Sequence, residues 1–140
     1  MIDVTIQVSI THMMDGHTEH TQMESTGKAV EKESGWFFSY TEEIAGAGKV
    51  PTILKLSQAG LSLLRQGHVK MKQEFQKGLQ SESMYDTPHG RFRMEIYTRK
   101  LQTTREDGRP VTSHILYQQW LDGQYLGEYE LNFRFLWKEA

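Results

Sequence analysis

Three histidines, His12, His17 and His20, gather with Asp15 and Glu19 in one short polar stretch. Imidazole and carboxylate groups are ligands for zinc or nickel. A tight site needs fixed ring orientations, and Asp15-Gly16 marks this stretch as a hairpin turn, so a solvated polar turn is the stronger reading and no metal is expected. Gly46-Ala47-Gly48-Lys49 has the look of a phosphate loop. That pattern requires a glycine five residues before Gly48 and a Ser or Thr after the lysine. The chain has Glu43 and Val50 there, and Pro51 with the alternation that follows points to a strand instead of the required helix. No G-x-S-x-G elbow occurs, and no serine stands in a recognisable nucleophile context. The chain has no cysteine, which excludes disulfides, thiolate zinc sites and a thiol nucleophile. No catalytic set and no cofactor motif is legible, so an enzyme is not expected.

One constellation comes from strand phase. If Trp36, Phe38 and Tyr40 point inward, Glu42 continues that face, because side chains alternate along a strand. If Leu61 and Leu63 point inward, so does Arg65. An acid and a guanidinium then share an interior near strand ends. Arginine presents a planar fork suited to a carboxylate or phosphate, and an anchor of this kind in an aromatic pocket is how ligand sites are commonly built. An internal ion pair, or two rim residues in water, is the plainer reading of the same two residues. Thr98 and Gln118 are also inward by phase, and Tyr40, Trp120 and Tyr129 add aromatic lining. The expected ligand-binding set is therefore Tyr40, Glu42, Arg65, Thr98, Gln118, Trp120 and Tyr129.

The elements that must position these residues are read from turns and alternation. Asp122-Gly123 is a two-residue hairpin signal, since a type I′ turn needs φ > 0 at both central positions. Folding there pairs Trp120 with Tyr125, Leu116 with Tyr129 and His114 with Leu131. These residues then share an aromatic face with Phe133, Phe135 and Trp137, opposite Glu128, Glu130, Asn132 and Arg134. Upstream, Val4, Ile6, Val8 and Ile10 alternate with polar residues over 3–12, predicting a strand. A polar strand from Thr18 to Val30 follows, then strands over 36–42, 52–56 and 61–65, with Gly46-Ala47-Gly48 as a loop. Val69 to Leu79 fits either period. Gly60, Gly67 and Gly78 punctuate it, and glycine inside a helix costs about 1 kcal/mol relative to alanine, so it reads as a strand. Residues 85–90 read as a turn. Phe92, Met94, Ile96 and Thr98 form one face of a long strand that ends at the Asp107-Gly108 turn.

About ten strands with no convincing helix predict an all-β chain. Closure into a single antiparallel up-and-down β-barrel removes the exposed edges most simply, with a two-sheet sandwich as the competitor. At 140 residues the chain reads as one domain, 1–140, with a core of its own. Hydrophobic residues make up 37%, which suits a globular protein. No apolar run approaches the roughly 20 residues of a membrane-spanning helix, and no signal peptide is visible, so a cytoplasmic location is expected. A formal net charge of −2 argues against a nucleic-acid partner held by phosphate neutralisation. The oligomeric state is not legible.

The central stretch resembles the YwiB-like family of small uncharacterised bacterial lipocalin-like β-barrel proteins. The resemblance is carried by SYTEE (39–43), GKVPTILKLS (48–57), LSLLRQGHVKMKQEF (61–75), Gly78, Tyr85, Gly90, and Thr98 with Leu101. It implies a calycin-type barrel in a bacterial cytoplasm. It implies no reaction and no catalytic residues. Two functions are expected in order. The first is a barrel binding a small, partly apolar ligand inside. The second is a filled barrel whose outer surface, with Lys70, Lys72, Arg91, Arg93, Arg99 and Lys100, binds a protein or RNA.

Overall fold

Each alternating segment of the chain becomes a strand, and the ten strands follow one another around a closed barrel. The computed structural model describes residues 1–44 and 48–138. The strands are β1 (Ile2–Met14), β2 (His17–Lys32), β3 (Gly35–Ile44), β4 (Gly48–Leu56), β5 (Leu61–Gln66), β6 (Lys70–Phe75), β7 (Gln80–Thr87), β8 (Gly90–Glu106), β9 (Arg109–Leu121) and β10 (Gln124–Lys138). Neighbours in sequence are neighbours in the sheet, and β10 returns to β1 to close it, all antiparallel. The up-and-down barrel replaces the sandwich alternative. Of the Gly46-Ala47-Gly48 loop, Gly46 and Ala47 lie outside the described residues, whereas Gly48 opens β4.

The interior has an aromatic end and a polar end. At the aromatic end Phe38 stacks on Phe135 at 4.3 Å, and Trp36 meets Trp137 edge-on at 5.0 Å. The indole Nε1 groups of Trp36 and Trp137 donate to the carbonyls of Gly108 and Pro110, so buried Trp36 and half-buried Trp137 both have their polar edge satisfied. Val4, Ile6, Leu54, Leu56, Met94, Ile96 and Ile115 fill the space between the walls and are fully buried.

Three expectations need correction. In the last hairpin Trp120 does pair with Tyr125, but Tyr129 lies opposite Tyr117 and Leu131 opposite Ile115. The pairings of Leu116 with Tyr129 and His114 with Leu131 fail because the register shifts between Tyr125 and Gly127. A bulge of this kind inserts one residue and reverses the facing of everything beyond it. Gly127 carries it with φ 113°, a conformation that L side chains rarely adopt. Tyr117 and Ile115 therefore point inward, while His114, Leu116, Gln118 and Trp120 face out. Second, residues 85–87 belong to β7, and the turn is confined to Pro88 and His89. Third, the strand expected over Val69 to Leu79 stops at Phe75; Lys77-Gly78 turns the chain and Leu79 is exposed.

The β6–β7 seam is thinly laddered, with Lys70 opposite Asp86. Serines reinforce it: Ser81 Oγ donates to the Glu74 carbonyl at 2.9 Å and Ser83 Oγ to the Lys72 carbonyl at 2.6 Å.

Candidate functional site: the polar end of the barrel

Strand phase brings Glu42 and Arg65 together as expected. Tyr40 and Glu42 extend the inward face of β3, and Arg65 ends that of β5. Between them β4 sets Thr52 opposite both Tyr40 and Arg65. The Arg65 guanidinium grips Glu42 with a two-point fork, Nε to Oε1 at 2.8 Å and Nη2 to Oε2 at 3.3 Å. Nη1 donates to Gln73 Oε1 on β6 at 2.9 Å. Thr52 Oγ1 donates to Glu42 Oε1 at 2.7 Å, so the carboxylate accepts three hydrogen bonds. Both charges are buried. Burial alone works against the charge on Arg65, yet the Glu42 carboxylate outweighs it and raises the guanidinium pKa. The plainer reading of the pair, an internal ion pair, describes this geometry.

A row of rings leads outward from the pair. Tyr117 packs against Phe75 at 4.8 Å, and Arg65 and Gln73 act on its phenol, both opposing the effect of burial. Tyr129 stacks on Tyr117 at 5.1 Å, and His12 stacks on Tyr129 at 4.3 Å. His12 Nε2 also hydrogen-bonds the Leu126 carbonyl, just before the bulge. Burial lifts the Tyr40 phenol well above the usual tyrosine range, with Glu42 adding to the effect and Arg65 opposing it. Burial raises Tyr117 likewise, and raises half-buried Tyr129 with help from Glu19. Half-buried Ile10, Met23, Met71, Tyr85 and Leu121 pack on the core at this end.

Two hydroxyls in this region have no protein hydrogen-bond partner among the described residues: Tyr40 Oη, beside the ion pair, and Thr98 Oγ1, on the residue opposite Tyr117. Tyr40 is 6% exposed and Thr98 0%. A buried polar group left unsatisfied costs about 1–3 kcal/mol, so each is a point where an additional partner is favoured.

Five of the seven residues expected to line a pocket thus lie inside: Tyr40, Glu42, Arg65, Thr98 and Tyr129. Gln118 and Trp120 do not. The bulge turns them to the outer wall, where Gln118 Nε2 approaches Tyr125 Oη at 3.4 Å and Trp120 packs on the Tyr125 ring at 5.4 Å. Sequence reasoning missed Thr52, Gln73 and Tyr117. Gln73 was accessible, since it shares the phase of Met71 and Phe75, and Thr52 shares that of Leu54. Tyr117 was hidden by the bulge.

The histidines do not converge. His20 is engaged with Thr11 Oγ1 at 3.0 Å and Gln22 at 3.2 Å, and among the described residues no group of three or more His, Cys, Asp or Glu side chains is placed to hold a metal. The outward cations largely face carboxylates: Lys72 pairs with Glu74, Arg91 with Asp86, Arg93 with Glu95 and Arg99 with Glu128.

Comparison with known proteins agrees with this architecture. The crystal structure of the ywiB protein from Bacillus subtilis superposes with a TM-score of 0.82 over 99% of this chain and 93% of that one, at 23% identity, a likeness of fold. The uncharacterized beta-barrel protein YwiB of Bacillus subtilis (strain 168) is 30% identical over 104 residues, 74% of this chain and 72% of the relative. Residues 6–133 match the family described as "Domain of unknown function (DUF1934)". The chain belongs to that family of YwiB-like β-barrel proteins.

Proposed function

We propose that the protein binds a small, partly apolar molecule at the polar end of its barrel, a lipocalin-like use of the fold. The observation that carries this reading is the pair of buried, unpartnered hydroxyls, Tyr40 Oη and Thr98 Oγ1, in the layer of Arg65 and Tyr117. A hydrogen-bonding group on the ligand would give either hydroxyl a partner, while half-buried Met71, Tyr85, Leu121 and Tyr129 receive its apolar part. Arg65 acts here as a positioning residue. Its charge is matched by Glu42, so the site favours a neutral hydroxyl or carbonyl over an anion.

Tyr40→Phe tests the reading, because it deletes one hydroxyl and keeps the ring. Protein purified without denaturation and then denatured for mass spectrometry should release a stoichiometric small molecule from the wild type, and little or none from Tyr40→Phe. No molecule from the wild type, together with a Tyr40→Phe variant stabilised by about 1–3 kcal/mol, would mean that the hydroxyl is simply an unsatisfied core group.

A second reading, a filled barrel acting through its outer wall, draws on two grooves bordered by outward-facing residues. One of about 460 Å³ runs over Lys28, Ser39, Thr41, Ile53 and Leu64. Another of about 560 Å³ lies among Gln7, Gln22, Thr112, Asn132 and Arg134. The paired outer cations favour a protein over RNA as the partner, since phosphate binding draws on unneutralised Lys and Arg.

A further inference from the structure

The ladder between β2 and β3 covers only part of β2. On one side β2 pairs with β1 from Met14–His17 through to Ile2–Ala29. On the other it pairs with β3 only from Lys28–Ser39 to Lys32–Gly35. Ser25 Oγ reaches the Thr41 carbonyl at 3.0 Å just beyond that ladder. Past this point the strands part, leaving a groove of about 550 Å³ bordered by Glu24, Thr26, Thr41, Glu43 and Lys49. Among the described residues, His17–Glu24 is therefore a strand edge with no β-partner on that side, and His17–Gln22 are exposed on both faces.

An unpaired edge offers main-chain donors and acceptors to another strand. This one contains no proline, no lysine and no break in register before Gly27, and its Thr18, Thr21 and Thr26 are suited to extended backbone. The devices that commonly blunt an edge are largely missing. Its charges sit at Glu19 and Glu24, and His20 and Glu24 share the outer face with Thr18, Gln22 and Thr26.

We propose that a second copy of this chain docks here, β2 against β2 antiparallel about a two-fold axis at Gln22. A two-fold axis perpendicular to the sheet keeps outer residues opposite outer residues. Among the registers that do so, the one centred on Gln22 sets His20 of each copy against Glu24 of the other. The same register sets Thr21 opposite Met23, so the new ladder runs from His20 to Glu24 and ends before Ser25 meets β3. A shift by one register step toward the strand end centres Thr21 and leaves Glu24 facing Thr18; a larger shift the other way sets Glu24 against Glu24, a destabilising like-charge pair. Glu24 already accepts from Gln7 Nε2 through Oε2, leaving Oε1 for the incoming imidazole, whose Nε2 exchanges its contact with Gln22 for this carboxylate.

The absence of native cysteine makes the test direct. At the two-fold axis Gln22 faces its own counterpart, at the roughly 4.5–5.5 Å Cα separation of an antiparallel pair, within disulfide reach. Gln22→Cys should cross-link into a covalent dimer on mild oxidation, whereas Thr18→Cys should not. Sedimentation should give twice the chain mass for the wild type, a shift toward monomer for His20→Glu, and recovery of the dimer when Glu24→Lys is added. Circular dichroism and a thermal melt check that each variant folds. A wild type that sediments as a monomer overturns the proposal. So does a dimer in which Gln22→Cys fails to cross-link, because its interface then lies elsewhere.

Discussion

Arg65 sits in the barrel as a guanidinium whose charge is answered by one carboxylate and one amide, and its removal leaves Glu42 buried without a counter-charge. Arg65→Ala should destabilise the fold by roughly 3–5 kcal/mol in urea denaturation, and adding Glu42→Gln should recover part of that loss. An Arg65→Ala variant as stable as the wild type would show the pair to be incidental. The buried phenols make a second prediction. The pKa values of Tyr40 and Tyr117 are raised in the folded barrel, chiefly by burial. In the unfolded chain these groups ionise at about pH 10. The folded state thus holds its protons longer, so their contribution is fully present below about pH 10 and is lost as the pH rises above it. Stability measured from neutral to strongly alkaline pH should fall above about pH 10, and Tyr117→Phe should flatten the decline.

At the scale of elements, most of the hairpins were legible because their turns carry chemistry. Asp122 and Gly123 have φ of 48° and 81°, the two positive values that a type I′ turn demands. Gly123→Val should therefore lower the melting temperature. Alternation likewise placed Glu42, Arg65, Thr98 and Phe133 inward. It failed at one glycine. A glycine within a strand often marks a bulge, but Leu126-Gly127-Glu128 does not say which way the register moves, and the unbroken alternation assumed there exchanged Tyr117 for Gln118 and Trp120. A Cβ at Gly127 would stand 2.5 Å from the Met13 carbonyl oxygen. Gly127→Ala should cost more than the ~1–3 kcal/mol of backbone strain alone, and the loss should appear in the Tyr117–Tyr129 end of the barrel by hydrogen exchange. Ordinary protection at that end would remove the bulge from this account.

For the whole molecule, the two ends of the barrel do different things. The Trp36, Phe38, Phe135 and Trp137 end is packed apolar core; the Arg65 end is a polar layer with two hydroxyls unanswered. Phe133 and Arg134 are adjacent in sequence and face opposite ways, the first 2% exposed and the second outward. Phe133→Ala should cost ~3–5 kcal/mol and Arg134→Ala stay within about 0.5 kcal/mol, read from denaturation midpoints. Similar losses at both would contradict the assignment of faces. The account's central claim, that the polar end takes up a small molecule, is tested most directly by a crystal structure of the purified protein at a resolution that shows ordered solvent. It predicts continuous non-protein density larger than a water, within hydrogen-bonding distance of Tyr40 Oη or Thr98 Oγ1. Single waters in that layer, or both hydroxyls bonded to protein groups, would contradict it.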